Sequence, residues 1–376
     1  MGARYEVYLC RDTGERLTLL SEYFSLAYTI VQHDVGICVI ELPGTLDPAF
    51  IRPDYKIAIW RQPEGGSMAL EDVYLIRRYR AFTSDRGERR WELTGLNGNS
   101  IMTDRAPNMS GTYRVGYKVE DYADDAIKTI VNGSYKKPGT VYFSIEADKS
   151  QGASFKKAIG ARSLADEATA RCKTSAGRGT PIFWHVAALS EAQYQLRTYL
   201  DQIGQDRSWP DGNNPILVSE SDDTMGEPAY EWDGIEARNR VWALGDTYTT
   251  PGGEIPYAER AHDRLAGAEN TLSQYSHREK FVDAGSETDY DVLVEAAVEE
   301  LAESYPVESL GFNLKETETR RYGRDWRFGD VITAFYRERY YSCRIFGVTV
   351  KRESQNTPEK VQVDLDIVRT TDVQTS

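Results

Sequence analysis

A serine with small neighbours is a candidate for nucleophilic chemistry. Residues 65–69 read Gly-Gly-Ser-Met-Ala, close to the G-x-S-x-G elbow that exposes a catalytic serine in hydrolases. The last glycine of that motif is missing. The alternating residues on both sides indicate a hairpin loop, whereas the elbow requires a strand-to-helix turn. The sequence therefore predicts a plain turn around Ser67 and no nucleophile.

Phosphate loops and metal sites have characteristic spacings that this chain lacks. Residues 177–181, Gly-Arg-Gly-Thr-Pro, have neither the lysine nor the glycine spacing of a P-loop. The four histidines, His33, His185, His262 and His277, never fall at the close spacing of a zinc site. We expect these histidines at the surface or hydrogen-bonded in a core, and we predict no metal and no cofactor.

Acidic side chains are numerous enough to leave one catalytic alternative open. Asp121, Asp124 and Asp125, and separately Asp222 and Asp223, could hold a hard cation, but neither group has the glycine and terminal glutamate of a calcium loop. We interpret them as charges at a helix N-terminus and in a solvated loop. A glycan or peptidoglycan hydrolase needs only two carboxylates that meet in space, and the chain has 59 acidic residues.

Charge patterning argues against a dedicated nucleic-acid binder. The chain has 45 Lys and Arg against 59 Asp and Glu, a net charge of −14, which disfavours a protein that must neutralise phosphates. The arginines within 77–80 and 86–90 are predicted to pair with acidic groups of a neighbouring subunit. The acidic run from Glu295 to Glu303 is predicted to be the solvated face of a helix, with the lining of a channel as the alternative.

Composition also bears on the class of protein. The 24 Tyr and 7 Trp favour β-structure and extended contact surfaces, and they leave a carbohydrate-binding receptor module as another alternative. The four cysteines are too far apart for a C-x-x-C site, so we expect buried thiols. No basic and apolar leader opens the chain, and no apolar run approaches the roughly 20 residues of a membrane span. We expect folding in a cytoplasm.

Periodicity divides the chain into β-rich ends and a mixed middle. Short alternating segments through residues 1–115 predict an all-β domain that closes as a barrel, and a second β-segment fills the C-terminus. Helical spacing predicts three helices, at 121–131, at 186–203, and between Ser286 and Pro306. Two stretches rich in Gly, Ser, Asp and Lys are predicted to be long loops, namely 145–180 and 205–235.

Two distant segments resemble each other. Asp54 to Arg61 aligns with Asp330 to Arg337 without a gap, and the next two strands after each segment also correspond. Alternating strands can look alike by chance. A duplication, however, would give two similar barrels, and three copies of the chain would then form a ring of six similar units. The predicted ring interface consists of Asp54, Trp60, Arg61, Asp330, Tyr336 and Arg337.

A set of short motifs carries a resemblance to a known family. The best single signature runs from Tyr322 to Val331. The less specific carriers, in chain order, are Tyr5 to Leu9 with Asp12 to Gly14, Tyr23 to Thr29, Gly36 to Pro43, Trp60 with Arg61, Leu93 to Gly95, Asp124 with Asp125, Trp184, and Arg238 to Trp242. Over nearly its whole length the chain resembles the siphophage tail-tip (baseplate) hub proteins, which are similar to the trimeric hub of contractile phage tails.

The resemblance implies a fold and a function. The expected fold is α+β and β-rich, with a first tube-forming barrel at 1–115, an inserted α/β domain at 116–250, a helical segment at 251–310 and a second barrel at 311–376. Three copies would form a pseudo-six-fold ring that lines a DNA channel.

The same resemblance implies a non-enzymatic hub of the virion tail tip, made in the host cytoplasm. Its partners would be a tail tube or distal tail protein and tip fibre or spike proteins. Some relatives carry further C-terminal modules. Because this sequence ends soon after the second barrel, we expect receptor binding and wall digestion to fall to other proteins.

Overall fold

Alternating apolar residues make strands the dominant element of the fold. The computed structural model describes residues 3–134, 142–261, 278–304, 307–315, 317 and 320–372. Within them the strands are β1 (Arg4–Cys10), β2 (Arg16–Leu19), β3 (Ser25–Val31), β4 (Ile37–Pro43), β5 (Lys56–Gln62), β6 (Ala69–Thr83), β7 (Arg89–Leu96), β8 (Lys118–Tyr122), β9 (Phe143–Ile145), β10 (Ser154–Ala158), β11 (Ile182–Ala188), β12 (Tyr194–Leu200), β13 (Leu217–Ser219), β14 (Met225–Asp233), β15 (Arg240–Thr250), β16 (Gly253–Ala261), β17 (Glu279–Asp283), β18 (Val307–Leu314), β19 (Val331–Tyr336), β20 (Arg339–Arg352) and β21 (Lys360–Asp372). The helices are α1 (Ser100–Thr103), α2 (Ala123–Ser134), α3 (Leu164–Gly177) and α4 (Tyr290–Glu303).

One large sheet joins the two ends of the sequence. Its order is β14-β18-β21-β20-β3-β4-β7-β6-β5-β1-β2, with β19 beside β20 and β13 parallel to β19. Alternate residues of each strand face the same side, so β3 buries Leu26, Tyr28 and Ile30 together. These buried faces form one hydrophobic core that extends from Val7 in β1 to Leu365 in β21.

The two corresponding segments of the sequence lie in corresponding strands. β5, β6 and β7 form an antiparallel meander, and β19, β20 and β21 form another in the same order along the chain. Both meanders belong to the large sheet, and β3 links them by pairing with β20 on one side and with β4 on the other. The strands of the predicted repeat are confirmed. The division into two closed barrels stays a prediction.

The inserted region packs on the face of the first meander that lies opposite the large core. β10 pairs with β8, while β11, β12 and β9 form a three-stranded sheet. Helices α2 and α3 and these strands share a second core with Cys10, Ala58 and Val73 from the large sheet. A third core forms where α4 packs on β15, with Leu293 and Ala297 against Val241 and Ala243.

Two of the three predicted helices are confirmed. α2 begins two residues after Asp121, and α4 lies between Ser286 and Pro306, although its N-cap is Asp289. The predicted helix at 186–203 is wrong, because this segment contains the end of β11, a turn and β12. Val186 and Leu196 are buried at cross-strand positions of that hairpin, and their sequence spacing imitates a helical face.

The two predicted long loops are also wrong. Residues 145–180 contain β10 and the 14-residue helix α3, and residues 205–235 contain β13 and β14. The buried face of α3 is made largely of small residues such as Ala168 and Cys172. The sequence therefore lacks the stripe of large apolar side chains from which an amphipathic helix is predicted. The sequence does carry a signal for the start of α3, since Ser163 is a favoured N-cap residue. Its hydroxyl accepts the backbone N–H of Asp166 in the structure. Within 251–310, predicted to be helical, β16 and β17 precede α4.

Buried thiols and histidines occupy the cores. The four cysteines are free and buried, as predicted, and burial raises the pKa of Cys343 to about 12. His33 links the β3–β4 turn to β11, since its Nε2 accepts the backbone N–H of Trp184 at 3.0 Å. His262 and His277 lie outside the described residues. No helix in the described ranges is long and apolar enough to cross a bilayer.

The neutral state of His185 predicts a loss of stability in acid. Burial lowers the pKa of His185 to about 4, below the ordinary value of about 6.5 that applies to the unfolded chain. The stabilisation from the neutral His185 ring is therefore complete above pH 6.5 and is lost as the pH falls towards 4. The resulting decrease in the free energy of unfolding is about 2 kcal/mol at pH 5. Urea unfolding at pH 7.5 and pH 5 should show that His185→Gln reduces the pH-induced loss by this amount. An unchanged loss in the variant would show that folding does not lower the pKa of His185.

Candidate functional site

Arg61, one of the six residues predicted for a ring interface, is the centre of a buried network. Its Nη2 donates to Glu359 Oε1 at 2.6 Å, and its Nε donates to the Tyr5 hydroxyl at 3.0 Å. Its Nη1 donates to the carbonyl oxygen of Tyr322 at 3.0 Å, and the guanidinium lies 4.5 Å from the centre of that tyrosine ring. The Arg61 and Glu359 side chains are only 1% and 5% exposed, so the pair faces the interior.

A second arginine extends this network to the end of the β20–β21 hairpin. Arg352 Nη1 donates to the Tyr23 hydroxyl at 2.8 Å, and its guanidinium lies 4.7 Å from the centre of the Tyr5 ring. Its Nε and Nη2 donate to the carbonyl oxygen of Thr357 at 3.1 and 3.0 Å. The Tyr5 hydroxyl also donates to Glu359. The hairpin that carries Glu359 is thus held against β1.

Asp330, the counterpart of Asp54 in the repeat, holds loops together inside the chain. Its Oδ1 accepts the backbone N–H of Gln205 at 2.7 Å. Its Oδ2 accepts the Nε–H of Arg207 and the backbone N–H of Arg327, both at 2.9 Å. Asp330 is buried. This carboxylate therefore fixes the segment leading to β13 against the start of β19.

Two other predicted residues, in the first meander, contact the inserted region or its own sheet. Trp60 is half-buried, and its Nε1 donates to Glu191 Oε1 at 3.0 Å. Asp54 is exposed and adopts a positive φ of 66°, and it pairs with Arg77, whose guanidinium also pairs with Asp104 at 3.0 Å. Asp54 and Trp60, the half of the predicted interface that belongs to the first meander, thus already have partners within the chain.

The remaining two predicted residues lie on an exposed aromatic projection, here called the hairpin tip (residues 336–340 with Trp209). Tyr336 is half-buried, and Arg337 begins a turn in which it and Glu338 both have positive φ, 48° and 62°. The Trp209 ring stacks on Tyr340 with 5.1 Å between ring centres and is 44% exposed. The backbone N–H of Trp209 donates to Thr333 Oγ1 at 2.8 Å, which fixes the loop on β19.

Sequence reasoning identified Tyr336 and Arg337 but missed Trp209 and Tyr340. The available signal is the Trp209-Pro-Asp-Gly turn, which lies within the stretch 205–235 that is predicted above to be a loop. Because Trp209 lies more than 100 residues before β19, the sequence gives no sign that it contacts Tyr340 and Thr333. The structure brings these aromatic residues together, and it does not bring Asp54 or Trp60 into contact with them.

The acidic face of α4 is largely covered, which corrects the prediction of a solvated face. Glu295 pairs with Arg178 at the end of α3, and Glu299 pairs with Lys157 on β10 and with Arg162. Burial lowers the pKa of Lys157 to about 8 despite the nearby Glu299. These glutamates join α4 to the inserted region, and only Glu303 at the end of the run is exposed.

The arginine-rich strand ends form ion pairs within the chain. Arg90 pairs with Glu41 at 2.8 Å across β4 and β7, and Arg80 pairs with Glu92 at 2.8 Å. Arg78 and Arg89 are exposed. For exposed arginines such as Arg78 and Arg89, pairing with acidic groups of a neighbouring subunit stays a prediction.

The acidic groups and Ser67 that the sequence offered as candidate metal ligands or nucleophiles lie in structural contacts or on the surface. Across the described ranges no three His, Cys, Asp or Glu side chains are placed to hold a metal ion. Asp124 and Asp125 accept backbone N–H groups of the 149–151 loop, at 2.7 to 3.3 Å, so they lock that loop onto α2. Hydrogen bonds outweigh burial to lower the pKa of Asp222 to about 2. Ser67 is exposed on the β5–β6 connection.

Comparison with solved structures shows what this fold is similar to. The tail protein from Neisseria meningitidis MC58 matches with a TM-score of 0.55 and 12% identity over 97% of each chain. The 43 kDa tail protein of prophage MuSo2 from Shewanella oneidensis matches with a TM-score of 0.56 and 7% identity over 97% of this chain and 96% of that one. Prophage tail protein gp18 from Listeria monocytogenes EGD-e matches with a TM-score of 0.51 and 8% identity over 96% and 94%.

These matches span whole chains on both sides. The chain therefore has the fold of phage tail proteins, and the resemblance inferred from the sequence motifs is confirmed at the level of the fold. No protein-family model matches the chain, and no curated protein does.

The buried Arg61–Glu359 pair predicts a large cost for removing one partner. Glu359→Gln leaves the Arg61 charge uncompensated in the interior, and we expect it to lower the free energy of unfolding by about 3 to 5 kcal/mol in urea titrations. The double variant Arg61→Met, Glu359→Met should recover much of that loss, because no unpaired charge remains.

The matched control removes an exposed pair on the same hairpin. Glu353→Gln, which breaks the Lys360–Glu353 pair at 2.8 Å, should leave the free energy of unfolding nearly unchanged, because both side chains are exposed and the pair is screened by water. Equal effects of Glu359→Gln and Glu353→Gln would contradict the assignment of a buried pair.

Proposed function

We propose that this protein is the structural hub of a bacteriophage tail tip or baseplate, adapting a six-fold tail tube to a three-fold tip. The observation that carries the proposal is the whole-length likeness of the fold to three phage tail proteins. Its function resides in interfaces and in the bore of a ring, and no catalytic step is part of it. The protein acts in the virion tail after synthesis in the host cytoplasm.

The two meanders supply the reason for a trimer. β5-β6-β7 and β19-β20-β21 have the same antiparallel order, and each is preceded by an aspartate, Asp54 or Asp330. If each meander forms one tube-forming barrel, three chains present six similar units to a six-fold partner. The inserted region covers the face of the first meander opposite the large core, and it would be peripheral in this arrangement.

The hairpin tip is the strongest part of the proposed ring interface. It presents the exposed Trp209 ring and the exposed Arg337, and buried aromatic and arginine residues dominate the energy of protein interfaces. Asp330 supports the hairpin tip indirectly by holding the segment that leads to Trp209, whereas Arg61 holds the opposite ends of β20 and β21. Asp54 and Trp60 would meet the neighbouring copy through the first meander.

The bore would pass viral DNA without binding it. The net charge of −14 repels the phosphate groups of DNA. DNA passes freely through the bore only when this repulsion exceeds the attraction of its phosphates to the exposed arginines. The partners are a tail tube or distal tail protein on one side of the ring and fibre or spike proteins on the other.

Particle mass and shape test the proposal directly. Light scattering of the purified 42.5 kDa chain should give the mass of three copies, and electron-microscope class averages should show rings with a central hole and pseudo-six-fold symmetry. A monomer at all concentrations, both alone and mixed with the cognate tail tube protein, would contradict the hub. Release of sugars or peptides from purified peptidoglycan would favour the hydrolase alternative.

Charge reversal at the hairpin tip predicts loss of the trimer without loss of the fold. The variant Trp209→Asp, Arg337→Glu should lower the trimer fraction at micromolar concentration at least tenfold, because it places acidic groups where an aromatic residue and a cation would be buried. Lys360→Glu, an equally drastic change at an exposed position, is the control. Trimers that persist in the first variant would place the interface elsewhere.

A further inference from the structure

One part of the molecule has its own sheet and its own core. Strands β16, β15 and β17 form a three-stranded sheet, and helix α4 packs on it. We call this unit the α4 module, and Leu293 and Leu301 lie in its core. Across the described residues, this core shares no member with the core of the inserted region or with that of the large sheet. The module is therefore a separately packed body.

Two connections join the α4 module to the large sheet, and they lie side by side. β14 leads into the module after Asp233, and β18 leads out of it from Val307. Asp233 and Val307 are cross-strand partners in the β14–β18 ladder. The backbone N–H of Arg238 also donates to the carbonyl oxygen of Ser304 at 2.8 Å, so the two connections run together. Adjacent connections of this kind can act as a hinge, because a rotation about them leaves both strands in the sheet.

Away from the hinge, the module meets the inserted region through charges of opposite sign. In each ion pair between them the cation belongs to the inserted region and the carboxylate belongs to the module. The pairs are Lys118–Glu287, Lys118–Asp289, Lys156–Asp289, Lys157–Glu299, Arg162–Glu299, Lys173–Glu303 and Arg178–Glu295. The docked module thus neutralises a basic face of the inserted region.

Apolar contact at this boundary is close but small. At the end of α3, a Cβ atom placed on Gly177 would lie 2.9 Å from Val298 Cγ1 and 3.6 Å from Ala302 Cβ. Glycine at this position lets α3 and α4 approach each other. Small side chains bury little apolar area where helices meet, so they stabilise the docked position less than a shared core would. Docking therefore depends mainly on the ion pairs.

Ion pairs of this kind respond strongly to salt. Partly exposed pairs contribute little net free energy, and buried pairs lose much of their attraction to the cost of removing charges from water. Added salt weakens the attraction further, because the screening length falls from about 10 Å at 0.1 M to about 3 Å at 1 M ionic strength. The apolar cores on the two sides do not depend on this attraction. A rise in ionic strength should therefore release the boundary before it unfolds either body.

We propose that the α4 module is a hinged unit latched by charge, which swings away from the inserted region as the ionic strength rises. Opening leaves five basic side chains of the inserted region without a carboxylate partner among the described residues, namely Lys118, Lys156, Lys157, Lys173 and Arg178. Both bodies keep their cores, so the change is a rigid-body movement. The proposal does not depend on the role in a phage tail, and its failure would leave the oligomeric state and the hub role unaffected.

Thiol labelling tests the hinge in the full-length protein. Val298→Cys places a thiol on the face of α4 that meets Gly177, while the four native cysteines are buried and report unfolding. Labelling with N-ethylmaleimide, an uncharged reagent, is followed by peptide mass spectrometry at about 0.1 M and about 1 M potassium chloride. Ser67→Cys, at an exposed position, corrects for any effect of salt on the labelling reaction itself.

The labelling rate at position 298, relative to that at position 67, should rise at least tenfold between the two salt concentrations, while the native cysteines stay unlabelled. A ratio that does not change with salt would overturn the proposal. Labelling of the native cysteines in step with position 298 would also overturn it, because the boundary would then open only by unfolding.

Variants of α4 separate the latch from other effects of charge. Glu299→Gln removes the carboxylate that pairs with Lys157 and Arg162, and it should raise the labelling rate at low salt at least tenfold. Glu300→Gln is the matched control on the same helix, because Glu300 pairs with Lys280 inside the module, and it should leave the rate unchanged. Equal effects of the two variants would contradict a latch at the boundary.

An exchanged ion pair decides between charge and packing. Arg178→Glu places a carboxylate opposite Glu295 and should open the module at low salt. The double variant Arg178→Glu, Glu295→Arg restores opposite charges at the same place, and it should return the labelling rate most of the way to the wild-type rate. A double variant that stays open would assign docking to packing and overturn the proposal.

Discussion

The buried ion pair between Arg61 and Glu359 is the constraint on which the arrangement of this chain depends. Two charges removed from water lose several kcal/mol of hydration each, and they recover it only when their geometry and further hydrogen bonds are complete. Here Tyr5 and Tyr322 supply those additional bonds. Strand β5, strand β1 and the β20–β21 hairpin must therefore be in place together, and an alternative packing of either meander would leave a charge exposed to apolar surroundings.

The same logic operates between the inserted region and α4. Lys157, Arg162 and Arg178 meet the glutamates of that helix, whereas the apolar contribution is a small core. Charged packing of this kind is specific in register but adds little net stability compared with apolar packing. The large sheet thus holds the molecule together, and the ion pairs determine how the peripheral elements are oriented on it.

Much of the β-structure could be predicted from the sequence, because each strand carries its own alternation. Alternation predicts the strands of the repeat, and helical spacing predicts helix α4. The segment 186–203 was misread because a hairpin with buried residues on both strands has the same apolar spacing as a helix. Helix α3 was missed because Ala, Cys and Thr form its packed face.

The candidate site was harder to predict, since its contacts join residues far apart in the chain. Arg61 was singled out from the repeat, but its partner Glu359 lies 298 positions away, and no local pattern identifies it. The pairing of Trp209 with Tyr340 has the same character.

The pairing of β3 with β20 has a consequence for biosynthesis. Residues 26–31 pair with residues 347–352, so one edge of β3 stays open until nearly the whole chain has left the ribosome. At about 5 to 20 residues per second, translation of the intervening segment takes on the order of tens of seconds, during which an apolar strand edge is available to other nascent chains. Completion of the sheet is thus a late, post-translational event, and premature termination before β20 would leave a product prone to aggregation.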